Sequence, residues 1–160
     1  MVIMGHRMSD LDAIGAAEGV LRICKICDVP AVIAVRRDAT LAGSLIDALC
    51  RAGRRMILST QGALPIISKK TLCVVVDTYQ LGLVESKEIL ERCGKVAVID
   101  HHRKGVGFIE HADLVCHEPT PPRPVSWSRS FCSMWATGTT SPAGWRQRAC
   151  SRALCWIPGT

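Results

Sequence analysis

The sequence predicts an α/β fold built on a doubly wound, mostly parallel sheet, and three observations carry that expectation. Short apolar runs rich in Val and Ile alternate along the chain with segments of helical periodicity. The runs are continuous rather than alternating with polar residues, the pattern of strands covered on both faces. Three of them stop at acidic residues or histidine, where ligands gather in such sheets.

The elements follow in order. Val2-Ile3-Met4 reads as a buried strand ending at Gly5. After His6-Arg7-Met8-Ser9-Asp10, the residues Leu11, Ile14, Val20, Leu21 and Ile23 recur at roughly helical spacing as far as Cys27, with Ser9 or Asp10 as the cap. Pro30 breaks that helix, and Ala31 to Val35 gives the second strand. A weaker helix over 40–52 leads to Met56-Ile57-Leu58 and a polar turn. Leu72 to Val76 is a further strand that stops at Asp77, a helix is expected over 83–93, and Val96 to Ile99 stops at Asp100.

Composition narrows the functional classes. At 160 residues and 48% hydrophobic content the chain can bury a core. All 14 acidic residues lie at or before Glu118, so the net charge of +6 belongs mostly to five arginines scattered after Thr120. Without a periodic basic face they make a poor groove-binding element, which argues against double-stranded nucleic acid as partner. No run of 18 apolar residues and no leader pattern is seen, so the chain as written is expected in the cytoplasm without membrane contact. The nine cysteines then read as reduced thiols, and Cys24 and Cys27, inside a helical pattern and without a second ligand pair, as packing residues rather than a zinc site.

The chemistry concentrates at three strand ends: His6 with Asp10 and Asp12, then Asp77, then Asp100 with His101 and His102. A single Asp in such a place is ordinarily a helix or turn cap. Four Asp and three His with no lysine beside them strain that reading, because clustered carboxylates repel unless a cation neutralises them. Mixed imidazole and carboxylate donors suit manganese, iron, cobalt or zinc better than magnesium or calcium, and several bridging aspartates suit two ions. Two ions about 3.5–4 Å apart activate a water and clamp a phosphoryl group, so phosphoester hydrolysis is the natural reaction.

The motifs His6-x-x-x-Asp10-x-Asp12, Val74-Val75-Val76-Asp77-Thr78 and Val98-Ile99-Asp100-His101-His102 resemble, in order and spacing, the first three motifs of the DHH phosphoesterase superfamily. Ile3-Met4-Gly5-His6, Asp12-Ala13-Ile14-Gly15-Ala16-Ala17, His102-Arg103-Lys104-Gly105 with Phe108-Ile109, and Glu118-Pro119 are most similar to the GdpP-type cyclic-di-AMP phosphodiesterases. The resemblance implies a manganese-dependent hydrolase that opens cyclic-di-AMP to the linear dinucleotide, membrane-anchored in intact relatives with a cytoplasmic catalytic domain, in a homodimeric parent. It implies His6, Asp10 and Asp77 on one Mn2+ and Asp12, Asp77 and His101 on the other, with Asp77 bridging. His102 and Arg103 would face the phosphate, and Asp100 would orient the histidine pair. Relatives usually carry His where Tyr79 stands, and His111 and His117 match no motif and read as exposed or turn residues. Alternatives within the superfamily are an oligoribonuclease or a 3′,5′-bisphosphate nucleotidase acting on short oligonucleotides or nucleotides; from another class, a non-catalytic nucleotide- or metal-binding module.

The resemblance stops at Pro119, which divides the chain into a partial DHH domain over 1–119 and an aberrant, irregular tail over 120–160. The tail has no acidic residue, all four tryptophans and no apolar periodicity. In a frame moved back by one base, permitted codons for 120–136 re-read as YASSASELVTELLQYVG and those for 145–158 as LEAEGLLAGIVLDT, the family's expected continuation. Three forced positions agree: Phe131-Cys132 gives Leu, Met134-Trp135-Ala136 gives Val-Gly, and Cys155-Trp156-Ile157 gives Leu-Asp. A frameshift is therefore expected, with a natural Trp- and Arg-rich partner-binding tail as the alternative. On this reading the chain lacks the fourth-motif aspartate and the second, DHHA1 lobe, and is an incomplete, inactive fragment.

Overall fold

A computed structural model describes residues 1–53, 56–103 and 105–117. The boundary expected near Pro119 and the whole of 120–160 lie outside the described residues.

Six strands, β1 (Val2–Met4), β2 (Val32–Ala34), β3 (Ile57–Leu58), β4 (Leu72–Val76), β5 (Lys95–Asp100) and β6 (Leu114–His117), form one sheet in the order β3-β2-β1-β4-β5-β6. Every pairing between them is parallel. The chain winds outward from β1 through β2 to β3, then crosses back to lay β4 on the other side of β1. The carboxyl ends of β1 and β4 thus flank the point where the winding reverses, the place at which open α/β sheets bind ligands.

Helices cover both faces. Ile3, Ile33, Val74, Val76 and Ala97 meet Ile14, Ala17, Leu21 and Ile46 from α1 (Leu11–Ile26) and α2 (Gly43–Arg51). Their neighbours in sequence, Val2, Met4, Cys73, Val75 and Val98, point the other way against Ala63 of α3 (Thr60–Ala63), Leu64 and Ile89 of α4 (Lys87–Arg92). A period of two along each strand therefore feeds two cores, which is why the apolar runs are unbroken. Cys24 packs in the first of these cores.

Three elements differ from the sequence reading. The polar turn after Leu58 contains α3 and a 3₁₀ turn (Leu64–Ile66), started by the Ser59 hydroxyl, which accepts from Gly62 N at 3.0 Å. The helix expected from Leu83 begins only at Lys87, because Leu83 O accepts from Arg7 N (2.8 Å) and Glu85 N donates to Gly5 O (3.0 Å), tying 83–85 antiparallel to 5–7. His117 closes strand β6 rather than lying in a turn, whereas His111 is in a turn and exposed.

Candidate metal centre

Each cluster of polar residues sits where a strand delivers it. After β1 the chain runs through His6 to Asp10, which caps α1: its Oδ1 accepts from Asp12 N (2.9 Å) and Ala13 N (3.0 Å). The cap is thus real at this position, and it also fixes Asp12 in the first helical turn, where a carboxylate is favoured by the helix dipole. Asp77 follows β4 in a left-handed backbone conformation (φ 59°) with its N–H still donating to Ile99 O at 2.9 Å. Asp100, His101 and His102 follow along β5, one strand further out.

The three ends converge on Asp77. Its Oδ2 is 3.7 Å from His6 Nε2, and its Oδ1 is 3.0 Å from His101 Nε2 and 3.7 Å from His102 Nδ1. His6 Nε2 is 3.9 Å from Asp10 Oδ1, and His101 Nε2 is 3.5 Å from Asp12 Oδ2. Two sets, His6-Asp10-Asp77 and Asp77-His101-His102, each offer donor atoms lying within 4.8 Å of one another. Asp12 adjoins the second set through His101. The donors, imidazole nitrogens and carboxylate oxygens around a buried aspartate, fit a divalent transition metal by their chemistry.

Electrostatics points the same way. Burial, then the neighbouring Asp12 charge, pushes the Asp77 carboxyl up to about 6, with Asp10 adding to the rise and His102 and His101 opposing it. A carboxylate held this unfavourably is what a cation relieves. For His102, partial burial disfavours the imidazolium, but the Asp100 hydrogen bond and the charges of Asp100, Asp77 and Asp10 outweigh it and hold the group above the usual histidine range.

Asp100 is buried and does the orienting. Its Oδ1 accepts from His101 N (2.8 Å), His102 N (3.2 Å) and His102 Nδ1 (2.8 Å), which leaves His102 Nε2 outside that bond. Arg103 is exposed, and its carbonyl accepts from the Tyr79 hydroxyl at 2.8 Å. Tyr79 is buried and braces the segment behind the histidine pair.

Two further residues escaped the sequence reading. His117 Nε2 donates to His102 O at 2.5 Å, and its ring stands edge-on to Tyr79 at 6.1 Å. The signal was available: Leu114-Val115-Cys116-His117 repeats the pattern of an apolar run ending in a polar residue. Glu85, buried beneath the first loop, has no motif to announce it.

The parallel sheet with a two-set histidine and aspartate cluster at its switch point defines an α/β domain with a candidate metal centre. Residues 1–140 match the DHH family, N-terminal domain, and the chain belongs to that family. It is 36% identical over 123 residues to the cyclic-di-AMP phosphodiesterase GdpP of Geobacillus thermodenitrificans, covering 74% of this chain and 19% of that protein. It is 36% identical over 122 residues to the cyclic-di-AMP phosphodiesterase PdeA of Listeria monocytogenes, covering 73% and 18%. The chain thus spans less than a fifth of these relatives' length. Among solved structures, an exopolyphosphatase-related protein from Bacteroides fragilis superposes with a TM-score of 0.59 at 18% identity, covering 83% of this chain and 38% of that one, a likeness of fold.

Proposed function

We propose that this chain carries the metal centre of a manganese-dependent phosphodiesterase that hydrolyses cyclic-di-AMP to the linear dinucleotide in the cytoplasm. The observation that carries the reading is Asp77, whose two carboxylate oxygens face two different histidine-containing sets, the disposition a bridging ligand needs. His6, Asp10 and Asp77 would hold one ion, and Asp12, Asp77 and His101 the other. Bound there, a pair of ions supplies a Lewis acid for the phosphoryl oxygen and an acidified water. His102, whose imidazolium form the Asp100 hydrogen bond favours, and the exposed Arg103 would hold the phosphate and balance its charge. The relatives' printed activity supports the cyclic dinucleotide as substrate. No helix among the described residues is long and apolar enough to cross a membrane.

We further infer that the chain as written turns over little or no substrate. Residues 120–160 contain no Asp or Glu, so no carboxylate from them can complete the second ion's ligands. A reacting atom displaced by about 1 Å can cost roughly 100-fold in rate. Hydrolysis of cyclic-di-AMP and of a 3′,5′-bisphosphate nucleotide with manganese should be compared for this chain, for the product of the frame-restored gene, and for that product with Asp77→Asn. Activity is expected on cyclic-di-AMP alone and in the second protein alone. Robust turnover by the 160-residue chain overturns the inactivity, and preference for the bisphosphate overturns the substrate.

A further inference from the structure

Glu85 is a buried carboxylate at the junction of three segments, and no motif predicts it. Its side chain is 0% exposed, whereas its partner Arg36 is 42% exposed. Glu85 Oε1 accepts from Arg36 Nε (3.0 Å) and from Arg36 N (3.1 Å), just beyond β2. Its Oε2 lies 3.4 Å from the hydroxyl of Ser9, which is 1% exposed and donates to His6 O at 2.5 Å. Ser9 O in turn accepts from Thr40 Oγ1 (2.7 Å) and Leu41 N (2.9 Å). The loop between His6 and Asp10 is therefore held through Ser9 from two sides.

A buried ion pair seldom adds net stability over an apolar replacement, because desolvation offsets its attraction. For Glu85 burial pushes the carboxyl up, against the hydrogen bonds and charge of Arg36. What the pair does supply is geometry. Segment 83–85 is pinned to 5–7 by backbone hydrogen bonds, so Glu85 enters under the loop at a fixed height, and Ser9 passes that position to His6.

We propose that Glu85 is a positioning residue of the metal centre, setting His6 and Asp10 through Ser9 while Arg36 holds its carboxylate in place. The inference rests on the metal-centre reading above. Outer groups of this kind, when removed, typically cost about 10- to 100-fold in metal affinity.

The test is manganese binding by the full chain, read from the electron paramagnetic resonance of free Mn2+, for Ser9→Ala, Glu85→Gln and the double variant. Each single change should weaken binding about 10-fold. Because both interrupt one relay, the double variant should be no weaker than the worse single one rather than about 100-fold weakened. Ile89→Val, in the opposite core, is the stability control and should lower the melting temperature without moving the affinity. Affinities that track melting temperature across all four variants, or effects of Ser9→Ala and Glu85→Gln that multiply, overturn the proposal. A wild-type chain that takes no manganese would sink the metal-centre reading instead. The relay is then read by hydrogen exchange at the Arg7 and Leu41 amides: faster exchange there in Ser9→Ala and Glu85→Gln, with α4 unchanged, supports it, and unchanged exchange overturns it.

Discussion

Asp77 combines a left-handed backbone, burial and three facing histidines, and each feature limits what can replace it. Asp and Asn tolerate that conformation better than other side chains, which pay about 1–2 kcal/mol there. Asp77→Asn should therefore stay folded while losing the charge, and manganese binding measured by calorimetry is expected to fall at least 100-fold with little change in circular dichroism; retained affinity would remove Asp77 from the ligands. The same residue sets a pH dependence. Its folded-state value of about 6 exceeds the ordinary 3.8, so its contribution to stability is complete below 3.8 and lost as pH rises through 6. A manganese ion bound at Asp77, as proposed above, would replace that proton. The melting temperatures with and without manganese should differ little near pH 5 and increasingly from about pH 6 to 7.5, and a gap independent of pH would show that Asp77 is not the group displaced.

At the scale of elements, two contacts decide how the strands present their ends. Asp10 caps α1, and a cap of this kind contributes about 1 kcal/mol. Asp10→Ala should lower stability by about that amount and also weaken manganese binding, whereas Asp10→Ser should restore stability without restoring affinity. A rescue of both by Ser would mean that Asp10 is a cap and nothing more. At the opposite, amino-terminal end of the strands, a Cβ at Gly94 would sit 1.8 Å from Lys69 O, with backbone on both sides of the clash. Gly94 leads into β5, so Gly94→Ala should cost about 1–3 kcal/mol, as overpacking does, seen in urea denaturation. A neutral result would show that the 68–71 loop yields.

For the molecule as a whole, the coding DNA bears on everything after Pro119. A one-base slip near the codons for Pro119 and Thr120 is expected, with the alternative frame open through the position of Thr160; a stop codon in that frame would end the idea. Limited proteolysis should trim the chain to near residue 119, since a segment without acidic residues or an apolar face has little means of burying four tryptophans specifically. Protection of 120–160 equal to that of the sheet would favour the partner-binding tail.

The sequence by itself determined the α/β class, the strands read at Val2 to Met4, Ala31 to Val35, Leu72 to Val76 and Val96 to Ile99, and the seven polar residues at strand ends, because apolar period and strand-terminal chemistry are local properties. It was blind to the late start of α4, to α3, and to Glu85. Leu83 to Glu85 have helical spacing, but their backbone groups are claimed by Gly5 and Arg7, almost eighty residues away. Strand order was likewise a tertiary decision: only the return of the chain to lay β4 beside β1 brings Asp77 next to His6. A local pattern names which residues can bind; long-range pairing decides which of them meet.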